Sequence, residues 1–376
     1  DTETEMIEEI ATDVSNMLTK STQSRDFVGL IGMGSHMEKM KPLLCLESDE
    51  VRMIGIWGPP GIGKTTIARF LFNQLFGNFG LSVFMDNIKA MYTIPIGSDD
   101  YSAKLDLQQK FMSQIINEKD IKIPHLGVAQ ERLKDEKVLV VLDGVDQLFQ
   151  LEAMAKETRW FGHGSRIIIT TPDLKLLKAH GITHIYKVDF PPPAEAFEIF
   201  CMYAFEQKSP KEGFETLAWE ATVLACQLPL GLRVIGSYFR GKYSKKMWEE
   251  ALPELRSHLD GEIETVLKFN YDALSEKDKS LFLHLTCFFN FGSIENIEVY
   301  LAKTFSDFRQ RLDLLVERFL ISIVSGYLEI NHLLALLGRE IVRKKYGSEV
   351  SIREPGKRQF LVDAGDICQV LSDDTA

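Results

Sequence analysis

From residue 51 to residue 190 short apolar runs alternate with longer amphipathic stretches. The runs are VRMIGIW (51–57), LSVFMDN (81–87), KVLVVLD (137–143), SRIIITT (165–171) and THIYKVD (183–189). They are apolar at successive positions, as in strands buried on both faces. KTTIARFLFNQLF (64–76) and AKLDLQQKFMSQIINE (103–118) lie between them with helical spacing. The alternation predicts a parallel five-stranded sheet covered by helices on both sides. FPPP (190–193) closes this unit, because proline removes backbone donors and disfavours helix in the residue before it. Residues 194–260 read as helices only: AEAFEIFCMYAF, FETLAWEATVLACQL, LGLRVIGSYFR and KKMWEEALPELRSHL. Helices continue from 262 to FLISIVSGYLEIN (319–331), where two short apolar strands flank Ser325-Gly326, a two-residue hairpin signal. HLLALLGREIVRKKY (332–346) follows as a helix, and helices with one hairpin predict a winged-helix domain. At the other end, Met6, Ile7, Ile10, Val14, Met17 and Leu18 form one helical stripe, the pattern of a linker helix packing on a neighbouring domain.

Composition narrows the function classes. The chain has 376 residues, enough for two or three domains, and is 45% hydrophobic and 26% charged, as in soluble proteins with real cores. A net charge of -11 argues against non-specific nucleic-acid binding, which needs a basic face. Cys45, Cys201, Cys226, Cys287 and Cys368 are far apart, with no CxxC pair. That suits free thiols in a reducing compartment rather than a disulfide framework or zinc site. No apolar run reaches the roughly 18 residues of a membrane helix. The chain opens at Asp1 without Met, which reads as part of a longer protein.

GPPGIGKTT (58–66) follows the first strand and opens the first helix. It matches the phosphate-loop pattern in its required strand–loop–helix setting. Gly61, Ile62 and Gly63 would turn backbone N–H groups toward phosphate oxygens, and the helix N-terminus adds positive potential. Lys64 would bridge the β- and γ-phosphates, the Thr65 hydroxyl would hold Mg²⁺, and Thr66 completes the motif. Asp143, at the end of an apolar run, is the expected second Mg²⁺ anchor, directly or through water; capping of the following turn is the plain alternative. SRIIITT has the character of the sensor strand between the loop strand and the Asp strand. Thr170 and Thr171 would then sit near the γ-phosphate, or serve only as structural spacing. Gly144 occupies the place where a hydrolytic site keeps a second acid, and Asp146 is the nearby residue that could substitute.

With these residues in place the chain resembles the NB-ARC region of plant intracellular immune receptors of the TIR type. The landmarks run in order: DFVGL (26–30), GPPGIGKTT, VLVVLDGVDQL, GSRIIITT (164–171), YKVDFPP (186–192), CQLPLGL (226–232), LFLHLTCFF (281–289) and LGREIV (337–342). FLHxxCFF and Trp160 are similar to the TIR subclass, and most similar to the group recognising downy mildew (Peronospora). The resemblance implies an α/β P-loop NTPase domain of the STAND/AAA-like kind (25–190), a small helical domain (191–261) and a winged-helix domain (262–376). Residues 1–24 would be the linker from a TIR domain, and leucine-rich repeats would follow. It also implies that adenine of ATP or ADP lies against Phe27 and Val28 and against Pro229 and Leu230, although a proline there also suits an ordinary interhelical loop.

The implied function is a nucleotide-dependent switch and oligomerisation module, cytoplasmic or nucleocytoplasmic. Pathogen effector recognition through the repeats would replace ADP by ATP and release a homo-oligomer, a tetramer by family analogy. The TIR domains would then cleave NAD and act on downstream immune signalling proteins. This chain itself would be at most a slow ATPase. Two departures bear on this. Gly144 replaces the second acid, and Asn331 takes the place of the Met-His-Asp histidine that contacts the ADP β-phosphate, with His332 one position later. Both predict a switch set close to its threshold, unless Asn331 and His332 merely cap and begin the last helix while His332 swings in to replace the missing histidine. Pro172 is a third, milder departure. Two other readings compete. One is a turnover ATPase doing mechanical work on nucleic acid through the winged helix, against which Gly144 and the net charge weigh. The other is a scaffold with a vestigial site, against which the intact GIGKTT weighs.

Overall fold

A computed structural model of the chain describes residues 29–91, 100–118 and 121–345, together with 367, 368 and 372. The stripe at 4–18, Phe27 and Val28 lie outside the described residues. The described chain divides into two compact units. One holds residues up to Trp57, Lys64–Thr171 and Lys175–Lys187; the other holds Gly58–Gly63, Pro172–Leu174 and the chain from Val188 onward.

The first unit is built on five strands, β1 (Arg52–Trp57), β2 (Leu81–Met85), β3 (Val138–Leu142), β4 (Arg166–Thr171) and β5 (His184–Lys187). Their order in the sheet is β2-β3-β4-β1-β5, and every pairing is parallel. All five residues of β3 and all six of β4 are buried. The sheet thus has no wet face at its centre, as the unbroken apolar runs require. Around it lie α1 (Met33–Leu44), α2 (Lys64–Leu75), α3 (Asp100–Ile116) and α4 (Leu148–Met154), with shorter helical turns between them. Leu107, Phe111, Met112 and Ile115 of α3 are buried, one face of a 3.6-residue period. Five strands thus stand within one or two residues of the bounds that hydropathy predicts.

Arg166, the first residue of β4, is fully buried. Its guanidinium donates to the carbonyls of Leu44, Cys45, Ser48, Glu50 and Ser165. These bonds satisfy the charge in place of a carboxylate and tie the loop after α1 to the sheet.

The second unit is helical with one hairpin. Its first part runs through α5 (Pro193–Phe205), α6 (Glu215–Leu224), α7 (Pro229–Arg240) and α8 (Lys245–Ser257). Trp248, 1% exposed, anchors it. The indole stacks on Phe239 at 4.1 Å and on Phe205 at 5.4 Å, and its Nε1 donates to Lys242 O at 2.9 Å. Then follow α9 (Gly261–Asp272), α10 (Glu276–Phe288), α11 (Ile294–Leu301), α12 (Phe308–Glu317), the strands β6 (Ser322–Val324) and β7 (Tyr327–Glu329), and α13 (His332–Lys345). β6 and β7 pair antiparallel across Ser325 and Gly326, both left-handed with φ of 52° and 82°. A two-residue hairpin turn demands that conformation. The chain is therefore a P-loop NTPase fold with a parallel five-stranded sheet, followed by a helical region and a winged-helix domain.

Candidate functional site

In a parallel sheet every strand ends at the same edge, and catalytic and binding groups collect there. Register decides which residues meet. β3 and β4 pair Leu142 with Ile169, so Asp143, one step past β3, falls beside Thr170. β4 and β1 pair Ile56 with Thr170 and Trp57 with Thr171. The predicted sensor strand therefore lies between the Asp strand and the loop strand.

Asp143 is the focus of this edge. It is 4% exposed. Thr170 Oγ1 donates to its Oδ1 at 2.6 Å, and Thr65 Oγ1 donates to Oδ1 at 2.8 Å and Oδ2 at 3.1 Å. The backbone N–H of Asp143 donates to Met85 O and its carbonyl accepts from Ile88, which fixes the main chain. Lys64 begins α2 next to Thr65. Loss of hydration pushes its ammonium down to about 7, and the Asp143 carboxylate pulls it part of the way back. A desolvated cation at a helix N-terminus is a receptor for an oxyanion. Thr66 is half-buried on the same turn, and Thr171 is fully buried at the end of β4.

Gly144 adopts φ +73°, and its N–H donates to Thr170 Oγ1 at 2.9 Å. A Cβ there would meet nothing nearer than Asn87 Cα at 3.7 Å, so backbone conformation rather than space favours glycine. Asp146 accepts at Oδ1 from Gln150 Nε2 at 2.9 Å, while Gln150 Oε1 accepts the Asp146 N–H at 3.0 Å. The side chain is thus committed to the start of α4.

In the second unit the loop residues Gly58–Gly63 pack on the start of α7. Gly61 has φ +78°, and its carbonyl accepts the Leu230 N–H at 3.0 Å. A Cβ on Gly61 would come within 2.9 Å of Leu230 Cβ, so the approach requires glycine. Ile62 is buried beneath the loop, and Pro229 is the first residue of α7, where a missing N–H costs nothing. Gly63 is also left-handed, with φ +99°.

Asn331 caps α13: its Oδ1 accepts the Leu333 N–H at 2.9 Å. His332 starts the helix half-buried, with Nε2 lacking a hydrogen-bond partner among the described residues. Burial lowers its pKa, the Arg339 charge lowers it further, and a hydrogen bond to the Arg256 backbone opposes them. The sequence alternative in which Asn331 caps and His332 begins the last helix agrees with the Asn331 bond. Sequence reasoning missed the buried Arg166 and the Leu230–Gly61 bond.

The P-loop NTPase fold implies a bound nucleotide with Mg²⁺, and the residues present fit one. Among the described residues no cluster of three or more His, Cys, Asp or Glu forms a metal cage. Mg²⁺ in nucleotide sites is held by one or two protein oxygens and the phosphates themselves, and Thr65 and Asp143 would supply those two. The bound ion would neutralise phosphate charge.

The NB-ARC domain model matches residues 33–210, and the Roq1-like winged-helix domain of disease resistance proteins matches residues 275–346. The chain is 58% identical over 99% of its length to disease resistance protein TAO1, and 57% identical over 99% to probable disease resistance protein RPP1, both of Arabidopsis thaliana. It spans 31% of the length of each, about a third. The solved Walker-type ATPase PABY2304 of Pyrococcus abyssi shares the fold at TM-score 0.56 and 15% identity, covering 85% of this chain and 98% of that one. No helix among the described residues is long and apolar enough to cross a membrane. The chain carries an NB-ARC domain followed by a Roq1-like winged-helix domain, and is a nucleotide-binding module of the plant disease-resistance kind.

Proposed function

We propose that the chain is an ADP/ATP-dependent molecular switch that holds its nucleotide and hydrolyses it slowly. The observation that carries this reading is the arrangement around Asp143. A desolvated lysine and two threonine hydroxyls converge on one buried carboxylate, while the next position is a left-handed glycine with no acid to ready a water. Lys64 would bind the β- and γ-phosphates, Thr65 and Asp143 the Mg²⁺, and Thr170 would report on the γ-phosphate through the same carboxylate. Thr66 and the backbone of Gly61, Ile62 and Gly63 would complete the phosphate cradle, and Thr171 would hold the end of the sensor strand. Phe27, Val28, Pro229 and Leu230 would contact adenine.

In the whole receptor, effector recognition would favour the ATP form, which assembles as a homo-oligomer, a tetramer by family analogy. A TIR domain would then cleave NAD and engage downstream signalling, in the cytoplasm or nucleocytoplasm, with downy mildew as the class of pathogen sensed. Ligand-driven assembly of this kind needs only different affinities of ATP and ADP for two states. The first test is the nucleotide that copurifies. Adenine nucleotide released from denatured chain should approach one per chain. Lys64→Ala should remove most of it, because each hydrogen bond to a charged group contributes about 1.5–3 kcal/mol. Equal nucleotide content in the two proteins would overturn the proposal.

A further inference from the structure

The sheet of the first unit ends on β2, which pairs only with β3. Asp143 donates its N–H to Met85 O, so Met85 turns its peptide groups toward β3. Peptide groups alternate in direction along a strand. Those of Val83 therefore also point inward, while the N–H and C=O of Ser82 and Phe84 point to the outer edge. Among the described residues no strand pairs with that edge.

Natural edge strands carry devices that prevent further pairing: a lysine or another charge, a proline, or a bulge. β2 has none of these. Its sequence LSVFM holds no charge and no proline, and its residues pair with β3 without interruption.

A groove of about 530 Å³ lies beside β2. Ser82, Val83 and Phe84 line one wall, and Ser113, Gln114, Asn117 and Glu118, at the end of α3, line the other. Successive side chains of a strand point to opposite faces, so three consecutive residues lining one groove place it along the strand's edge. The opposite wall is fixed in shape. Asn117 is left-handed, with φ 60°, and the Glu118 N–H donates to Ser113 O at 3.1 Å, which closes the helix end.

The groove's chemistry selects its occupant. The outward groups of Ser82 and Phe84 offer donors and acceptors in strand geometry, which another extended backbone matches. Ser113, Gln114 and Asn117 offer hydrogen bonds to polar side chains on that backbone. Glu118 is the one charged side chain in the lining, and it stands at a helix C-terminus, where the last carbonyls also carry partial negative charge. A cation is favoured there. A second copy of β2 offers none, and Asp86 follows its last residue.

We propose that the edge of β2 and this groove bind an extended segment of a partner protein as a sixth strand of the sheet, with polar side chains turned to α3 and a lysine or arginine beside Glu118. Main-chain bonds would supply the affinity, and the groove the choice of side chains. The site lies wholly in the sheet unit and does not depend on the nucleotide reading.

The test titrates the whole chain into a fluorescein-labelled heptapeptide with lysine at both ends, threonine at the third and fifth positions and valine at the others, read by anisotropy. Saturable binding is expected. The same peptide N-methylated at every threonine and valine cannot complete the ladder and should not bind. In hydrogen-exchange NMR the Ser82 and Phe84 amides should slow on binding, while that of Val83, already in the ladder, should not. Ser82→Pro removes an outward N–H at an edge position, where proline is tolerated. It should weaken binding about tenfold or more with a cooperative melt retained. Glu118→Lys should weaken it about fivefold at low salt. No saturable binding, equal binding of the methylated peptide, or unchanged affinity in Ser82→Pro would overturn the proposal. If that variant does not melt cooperatively, unchanged affinity in Glu118→Lys would do so. Self-association of the chain that Ser82→Pro abolishes would give the edge to a second copy and overturn it as well.

Discussion

Lys64 stands at the start of α2 stripped of much of its hydration, with its pKa lowered to about 7. Polyphosphate oxygens would raise that value, so the sign of the pH effect is fixed. Below about pH 7 the lysine is charged in both forms and no proton moves. Above it the free chain has lost the proton that the bound form regains, so affinity falls as pH rises, by at most about tenfold per unit. At about pH 8.5, where the nucleotide phosphates are fully ionised, calorimetry in buffers of different ionisation heat should show uptake of close to one proton. Buffer-independent heats would contradict the assignment. Gly144 makes a second prediction at this scale. Its φ of +73° lies where an L-residue costs about 1–2 kcal/mol, although aspartate tolerates it better than most. Gly144→Asp should lower stability by about 1 kcal/mol and raise single-turnover hydrolysis about tenfold or more, since general-base assistance is typically worth about 10²–10⁴. Asp146 does not fill this role while its carboxylate is bound to Gln150. A folded variant with an unchanged rate would show that the missing acid is not what slows the site.

At the scale of elements, the start of α13 separates two roles for Asn331. Its Oδ1 caps the helix, and losing such a cap costs about 1 kcal/mol. Asn331→Ala should show that loss in a melt. Asn331→Asp keeps the acceptor and should keep the stability within about 0.5 kcal/mol, with ADP content unchanged. A sharp loss of ADP in the aspartate variant would mean that the side chain reaches a phosphate after all, because the new charge would repel it. The strands themselves were legible in the sequence. Runs such as VLVVL are apolar at every position, and only a central parallel strand needs that. The hairpin was legible because Ser325-Gly326 is a two-residue turn between the apolar pairs Ile323-Val324 and Tyr327-Leu328. Other features had no local signature. α1 contains Pro42 and carries an even mixture of polar and apolar residues. Arg166 looks like an ordinary charged residue opening a strand, and its burial depends on five carbonyls supplied mostly by the loop over a hundred positions earlier. The Gly61–Leu230 bond joins segments that hydropathy cannot bring together. Lys64, Thr65, Asp143 and Thr170 were readable because their spacing relative to strands and helix is fixed by the fold, whereas the left-handed backbone at Gly144 was not.

At the scale of the molecule, the candidate groups divide between the two units. The sheet unit holds the groups that would bind phosphate and Mg²⁺, and the helical unit holds the loop backbone, the Leu230 contact and the winged helix. The chain spans about a third of the curated relatives it matches, so assembly, effector sensing and NAD cleavage remain proposals about the whole receptor. We propose of this chain alone that it keeps a nucleotide rather than consuming it. The most direct measurement mixes the chain with substoichiometric labelled ATP and Mg²⁺ and follows bound and released label by rapid filtration and chromatography. The account predicts that label stays bound for minutes and that turnover lies well below the roughly 1–10³ per second of ordinary enzymes. Steady release of ADP at about one per second or faster, or failure to retain label at all, would contradict it.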